Sequence, residues 1–123
     1  MYELTVQRGF SAAHFLRDYE GACARLHGHN YRVEISVAGP EPLQNGMLLD
    51  FGELKAICDE VLDAMDHQCL NDLAEFQIKN VTAENLAAHI YHAIAAKLTF
   101  AGIKMTRVRL WEGDNSSVSY WED

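Results

Sequence analysis

No stretch of the chain approaches the run of about 18 apolar residues that a membrane-spanning helix needs. The segment Met1-Tyr2-Glu3-Leu4-Thr5 has neither the basic start nor the apolar centre of an export signal, so no membrane partner is expected and the expected compartment is the cytoplasm. Cysteine is scarce and odd in number, with three in the chain. Cys58 falls on an apolar helical stripe and Cys69 in a polar turn, so no disulfide framework is expected. Positive charge is short as well: ten Lys and Arg stand against 18 Asp and Glu, for a net charge of −8. A phosphate backbone or an anionic bilayer needs a basic face, and none is visible, which excludes nucleic acid as a partner. An anionic ligand must therefore find a local basic pocket, for which Arg25 is a candidate. Internal repeats, low-complexity tracts and linkers are also missing. A chain of 123 residues with 49% hydrophobic and 23% charged residues is expected to form one domain over 1–123 around one core.

What is present is a clear alternation of periods. Tyr2, Leu4 and Val6 alternate with Glu3, Thr5 and Gln7, a half-buried strand continuing through Phe10 toward His14 with a bulge expected at Gly9. Tyr31, Val33, Ile35 and Val37 repeat the pattern until Gly39-Pro40 stops it. Beyond a turn at Asn45-Gly46, Asp50 reads as a helix N-cap with Glu53 three residues on. Leu54, Ile57, Cys58, Val61, Leu62 and Met65 then follow at helical spacing to an end near Asp66-His67. Thr82 caps a second helix with Leu86, Ala87, Ile90, Tyr91, Ile94, Ala95 and Leu98 on one face, ending at Gly102. His89 and His92 flank that stripe as surface or interface residues. Thr106, Val108 and Leu110, a turn at Gly113-Asp114-Asn115, and Val118 with Tyr120 make a closing hairpin. Strand, strand, helix, helix, strand, strand has no βαβ rhythm, so the fold class is α+β: a four-stranded antiparallel sheet with two helices on one face. The other face is expected to carry apolar and aromatic side chains, covered by another copy of the chain.

The chemistry concentrates in Cys23-Ala24-Arg25-Leu26-His27-Gly28-His29-Asn30-Tyr31. On an extended chain His27 and His29 point to one face, and pairing of the two long strands brings His14 beside them. Three neutral imidazoles hold a zinc ion with one coordination position open, the arrangement of a catalytic site. With Cys23 as a fourth ligand the same residues would make a closed structural zinc instead, and both readings stand at this level. Asp66 and His67 pair a carboxylate with an imidazole. They read either as a helix C-terminal cap or, with a thiol and a metal nearby, as a proton relay beside a polarised oxygen. Cys23 could be the base. Glu112 at a strand end offers two coplanar oxygens suited to the N–C–N edge of a heterocycle, or is simply solvated.

Together these elements resemble the 6-pyruvoyltetrahydropterin synthase / 6-carboxytetrahydropterin synthase family. The resemblance rests on Phe10-Ser11-Ala12-Ala13-His14, Cys23 to His29, Leu49-Asp50-Phe51, Asp66-His67, Thr82-Ala83-Glu84-Asn85 and Trp111-Glu112, in that order over essentially the whole chain. It implies the tunnelling fold, in which four-stranded sheets join into twelve-stranded trimeric barrels that stack as a homohexamer with active sites between subunits. It further implies that His14, His27 and His29 bind zinc, Cys23 accepts the proton, Asp66 and His67 form the relay, and Glu112 anchors the pterin with Thr82 nearby. The dyad is then expected to reach the metal from a neighbouring subunit. The implied substrate is 7,8-dihydroneopterin triphosphate. Loss of triphosphate alone gives the 6-pyruvoyl product, and side-chain cleavage with release of acetaldehyde gives the 6-carboxy product on the way to queuosine. The compact Cys-x3-His-Gly-His spacing and the short chain look more like the bacterial carboxy branch.

Overall fold

Alternating strand residues and two capped amphipathic stretches fold as their periods require. The computed structural model describes residues 1–40, 42 and 45–123. In chain order they form β1 (Tyr2–His14), β2 (His27–Gly39), α1 (Phe51–Asp63), α2 (Ala83–Lys97), β3 (Lys104–Trp111) and β4 (Ser117–Tyr120). The four strands make one sheet in the order β1-β2-β3-β4, every pair antiparallel. Both expected caps are in place: the Asp50 carboxylate accepts from Gly52 N at 2.6 Å, and the Thr82 hydroxyl accepts from Asn85 N at 3.1 Å.

The helices cover one sheet face. Leu54, Cys58, Val61 and Leu62 of α1 and Leu86, Ala87, Ile90, Tyr91 and Ile94 of α2 are buried against Val33, Ile35, Val37, Val108 and Leu110, all with no exposed surface. Each aliphatic or aromatic side chain so enclosed stabilises the fold by about 1.5–3 kcal/mol relative to exposure. Further along the same face, Phe10 and Tyr31 stack with ring centroids 4.8 Å apart. His89 is half-buried against Phe76, while His92 stays exposed and meets Glu122 at 2.7 Å.

Two expectations need correction. No bulge interrupts β1 at Gly9, because β1 and β2 pair without a break from Tyr2 opposite Gly39 to His14 opposite His27. A Cβ on Gly9 would stand 3.2 Å from the Tyr31 carbonyl oxygen, so this glycine serves close strand approach rather than an extra residue. The irregularity lies instead between Ser36 and Val37, opposite β3. The open sheet face is also more polar than expected. Alternation places Glu3, Thr5, Gln7, Ser11, Asn30, Arg32, Glu34 and Ser36 there, with the guanidinium carbons of Arg32 and Arg109 over the Trp111 ring at 4.6 and 4.7 Å.

At the His14 end, the chain leaving α1 covers the outer edge of β1. His67 adopts a left-handed conformation, φ 58°. Its N–H donates to Ser11 O at 2.6 Å, the Asp66 carboxylate accepts from Ser11 N at 2.9 Å, and Ala13 N donates to Gln68 O at 3.0 Å. Peptide groups that an edge strand would leave unpaired are thus satisfied within the chain.

Candidate metal centre

Along β2 the face that carries Val37, Ile35 and Val33 continues through Tyr31 to His29 and His27, so the apolar row turns into an imidazole row where the helices end. His14 is the cross-strand partner of His27, and Ala12 that of His29. The three rings therefore crowd together, with centroids 4.5 to 5.1 Å apart, and one ligand atom from each lies within 4.8 Å of the others. Strand register alone achieves this.

Hydrogen bonds prepare the rings for a metal. His14 Nδ1 donates to the Val81 carbonyl at 2.8 Å and His27 Nδ1 to the Arg25 carbonyl at 2.7 Å, which fixes the proton on Nδ1 and leaves each Nε2 lone pair free. Burial pushes the His14 pKa down, favouring the neutral ligand form. His29 Nε2 is buried without a hydrogen-bond partner, and the nearest carboxylate oxygen, on Glu112, is 3.9 Å away. An orphaned buried nitrogen facing two prepared imidazoles is what a coordinated cation would satisfy. This donor set suits zinc, with one position open.

A cavity of about 360 Å³ opens over the trio and is lined also by Cys23, Thr82, Glu84, Glu112, Arg17 and Tyr19. Cys23 sits on the 3-10 turn Ala22–Ala24, exposed and free, and is not part of the ligand cluster. Glu112 follows the last residue of β3, and Thr82 is the N-cap of α2. Six of the nine residues singled out from the sequence therefore share one cavity, and Arg25, exposed, does not line it. Asp66 and His67 do not join them. Their side chains pair at 2.9 Å on the outer edge of β1, and that of His67 is 81% exposed. The Ser11 amide, then the His67 ring, hold the Asp66 carboxyl below the usual carboxylate range. Within one chain this dyad faces outward.

Asn71, Asn80 and Val81 build the site with no motif to mark them. In the sequence they read as loop, and their partners lie more than 55 positions away.

A profile of the family described as 6-pyruvoyl tetrahydropterin synthase matches residues 3–123. The chain belongs to that family. A 6-carboxy-5,6,7,8-tetrahydropterin synthase of Bacillus subtilis is 38% identical over 115 residues, covering 89% of this chain and 77% of its own. A dihydroneopterin monophosphate aldolase of Pyrococcus furiosus is 35% identical over 109 residues, covering 89% and 88%. Among solved structures, the 6-pyruvoyl tetrahydropterin synthase of Caenorhabditis elegans superposes with a TM-score of 0.86 at 27% identity, covering 100% of this chain and 98% of that one. The fold is thus the tunnelling fold that the motifs implied, and the family is one of pterin synthases. Among the described residues, no helix is long and apolar enough to cross a membrane.

Proposed function

We propose that this chain is a zinc-dependent 6-carboxytetrahydropterin synthase. The reaction takes 7,8-dihydroneopterin triphosphate and water to 6-carboxytetrahydropterin, acetaldehyde and triphosphate, a step toward queuosine. The observation that carries the reading is the convergence of three metal-ready imidazoles with a free thiol and a carboxylate in one cavity. The 6-carboxy activity named for the Bacillus subtilis relative supports the choice of product.

Bound zinc supplies Lewis-acid polarisation of a side-chain oxygen of the substrate, which acidifies the neighbouring C–H. Cys23, as thiolate, takes that proton. Glu112 grips the N–C–N edge of the pterin through paired hydrogen bonds and sets the side chain over the imidazoles, with Thr82 at the same wall of the cavity. Asp66 orients His67 as the proton relay. Because that dyad faces away from its own cavity, it serves the site of a neighbouring subunit in a homohexamer, and the polar open sheet face lines the barrel. The enzyme is a cytoplasmic one.

A second reading is favoured by the aldolase name of the Pyrococcus furiosus relative. The same base and polarised hydroxyl would then cut the side chain of a pterin monophosphate by a retro-aldol step. Incubating zinc-loaded protein with each pterin phosphate and weighing the products decides. A 6-carboxy pterin with acetaldehyde is expected from the triphosphate. A 6-pyruvoyl product would assign the pyruvoyl synthase reaction to the same residues. Turnover of the monophosphate alone would assign the aldolase, and absence of any turnover would leave a zinc-stabilised pterin-binding module.

A further inference from the structure

Cys23 sits on an exposed turn with no side-chain hydrogen bond of its own among the described residues, yet a proton acceptor must be held to a fraction of an ångström. The backbone holds it. Leu16 N–H donates to the Cys23 carbonyl at 2.8 Å, closing a loop over residues 16–23 that is turned by Asp18 at φ 55° and Gly21 at φ 137°. Gly21 reaches a conformation open essentially to glycine alone. The position of the thiol therefore depends on what holds Leu16.

Two asparagine amides hold the residues on either side of it. Asn71 accepts from Phe15 N–H at 3.0 Å and donates to Phe15 C=O at 3.0 Å. Asn80 accepts from Arg17 N–H at 2.9 Å and donates to Arg17 C=O at 2.9 Å. Each carboxamide acts as the peptide group of a missing strand, exchanging both hydrogen bonds with one residue as an antiparallel pair does. Residues 15 and 17 bond to one side and residue 16 to the other, the alternation of an extended chain. Past β1, the strand thus continues on side-chain rungs, with Cys23 on the opposite edge.

The clamps are themselves fixed. Among the described residues Asn71 is one of three buried polar ones, with His14 and Ser36, and its own carbonyl accepts from Gln77 Nε2 at 3.1 Å. The Asn80 carbonyl accepts from Asn85 Nδ2 at 2.9 Å, within the first turn of α2. The Arg17 guanidinium closes the arrangement on the carbonyls of Phe76 and Gln77. Residue 81, next to Asn80, supplies the carbonyl that orients His14. One short segment thereby references both the thiol loop and a metal ligand to the start of α2.

We propose that Asn71 and Asn80 are positioning residues for Cys23, acting through the backbone of residues 15–17. That role in turnover rests on the reading of Cys23 as the base, whereas the effect on thiol geometry does not. Asn80→Asp keeps the shape and the acceptor but loses the donor to Arg17 C=O and places a carboxylate against it. In that variant the Leu16 amide is expected to exchange faster with solvent and the pH profile of Cys23 alkylation by iodoacetamide to shift. The kcat should fall by about tenfold to a hundredfold, while zinc stays at the wild-type stoichiometry. Asn71→Asp should act in the same direction. Wild-type protein gives an independent arm that needs no variant: its Leu16 amide is expected to be protected while those of Tyr19 and Glu20 are not.

An unprotected Leu16 amide in the wild type would overturn the proposal. So would an Asn80→Asp protein whose melting temperature alone changes, with alkylation and exchange untouched. Loss of zinc in that variant would overturn it too, since Asn80 would then act through Val81 on His14. If the wild type turns over no pterin but the alkylation and exchange shifts appear, the positioning stands and the assigned reaction fails. If it turns over and the shifts do not appear, the reverse holds.

Discussion

The two ends of one sheet face differ by chemistry, not by backbone. At one end, Val33, Ile35 and Val37 of β2 are enclosed by the apolar faces of α1 and α2. At the other, the same strand and the same alternation present His29 and His27, with His14 across from them, covered by loops instead of helices. The lesson is that a β-sheet is an aiming device: a register that packs a core also brings three ligands to one point with no local motif beyond His-x-His. The difference in cover explains the rest, since a metal needs an open side and a core needs none.

Breaking the imidazole end should have the largest effect on function and a small one on the fold. His27→Ala is expected to lower zinc content, read by metal analysis, and to remove at least about a thousandfold of turnover, since polarisation of the substrate oxygen goes with the ion. Zinc stoichiometry equal to the wild type would refute the ligand assignment.

The apolar end should respond the opposite way. Ile35 has no exposed surface, so Ile35→Ala is expected to destabilise the fold by about 2–5 kcal/mol in denaturant titration, with zinc content of the folded fraction unchanged. Loss of zinc at temperatures where that variant remains folded would show that the two ends are coupled.

Between these extremes lies Glu112. Glu112→Ala should weaken pterin binding by at least about tenfold, since a paired charge-assisted contact is lost, while zinc is retained. Normal pterin affinity would remove its anchoring role.

The thiols sharpen the contrast further. Burial among apolar side chains, then the Asp59 charge, pushes Cys58 up to about 12, so it stays protonated and unlabelled by iodoacetamide until the protein unfolds. Cys23, exposed at the cavity, should be alkylated in the native state. Mass mapping of the labelled peptides reads this directly.

The smallest effect on stability is expected at Asp66, outside both ends. Its carboxyl is held below its ordinary 3.8, first by the Ser11 amide and then by His67. A depressed carboxylate stabilises the fold above its unfolded value and loses that contribution as pH falls through its folded one. Wild type and Asp66→Asn should therefore differ in melting temperature near neutral pH and converge below pH 3.8. A gap that persists in acid would mean that the carboxylate charge is not its source.

Much of this was legible in the sequence because periods of two and 3.6 are imposed by burial. The strands, both helices, their Asp50 and Thr82 caps and the His14, His27, His29 group all follow from such patterns. What escaped has no period. Gly9 marks a close strand approach that a bulge signal mimics. The open face carries Arg32, Glu34 and Arg109, charges that read as strand alternation without saying what faces them. Asn71 and Asn80 reach backbone 56 and 63 residues away, and a side chain replacing a strand leaves no trace beyond two asparagines in a loop.

An open metal centre with a free thiol beside it can be read by X-ray absorption at the zinc edge of the zinc-loaded protein. Three imidazole nitrogens and a light oxygen or nitrogen scatterer are expected, all near about 2.0–2.1 Å, with no sulfur. A zinc–sulfur shell at about 2.3 Å that disappears in Cys23→Ala would make the site a closed structural one, and the base would have to be sought elsewhere.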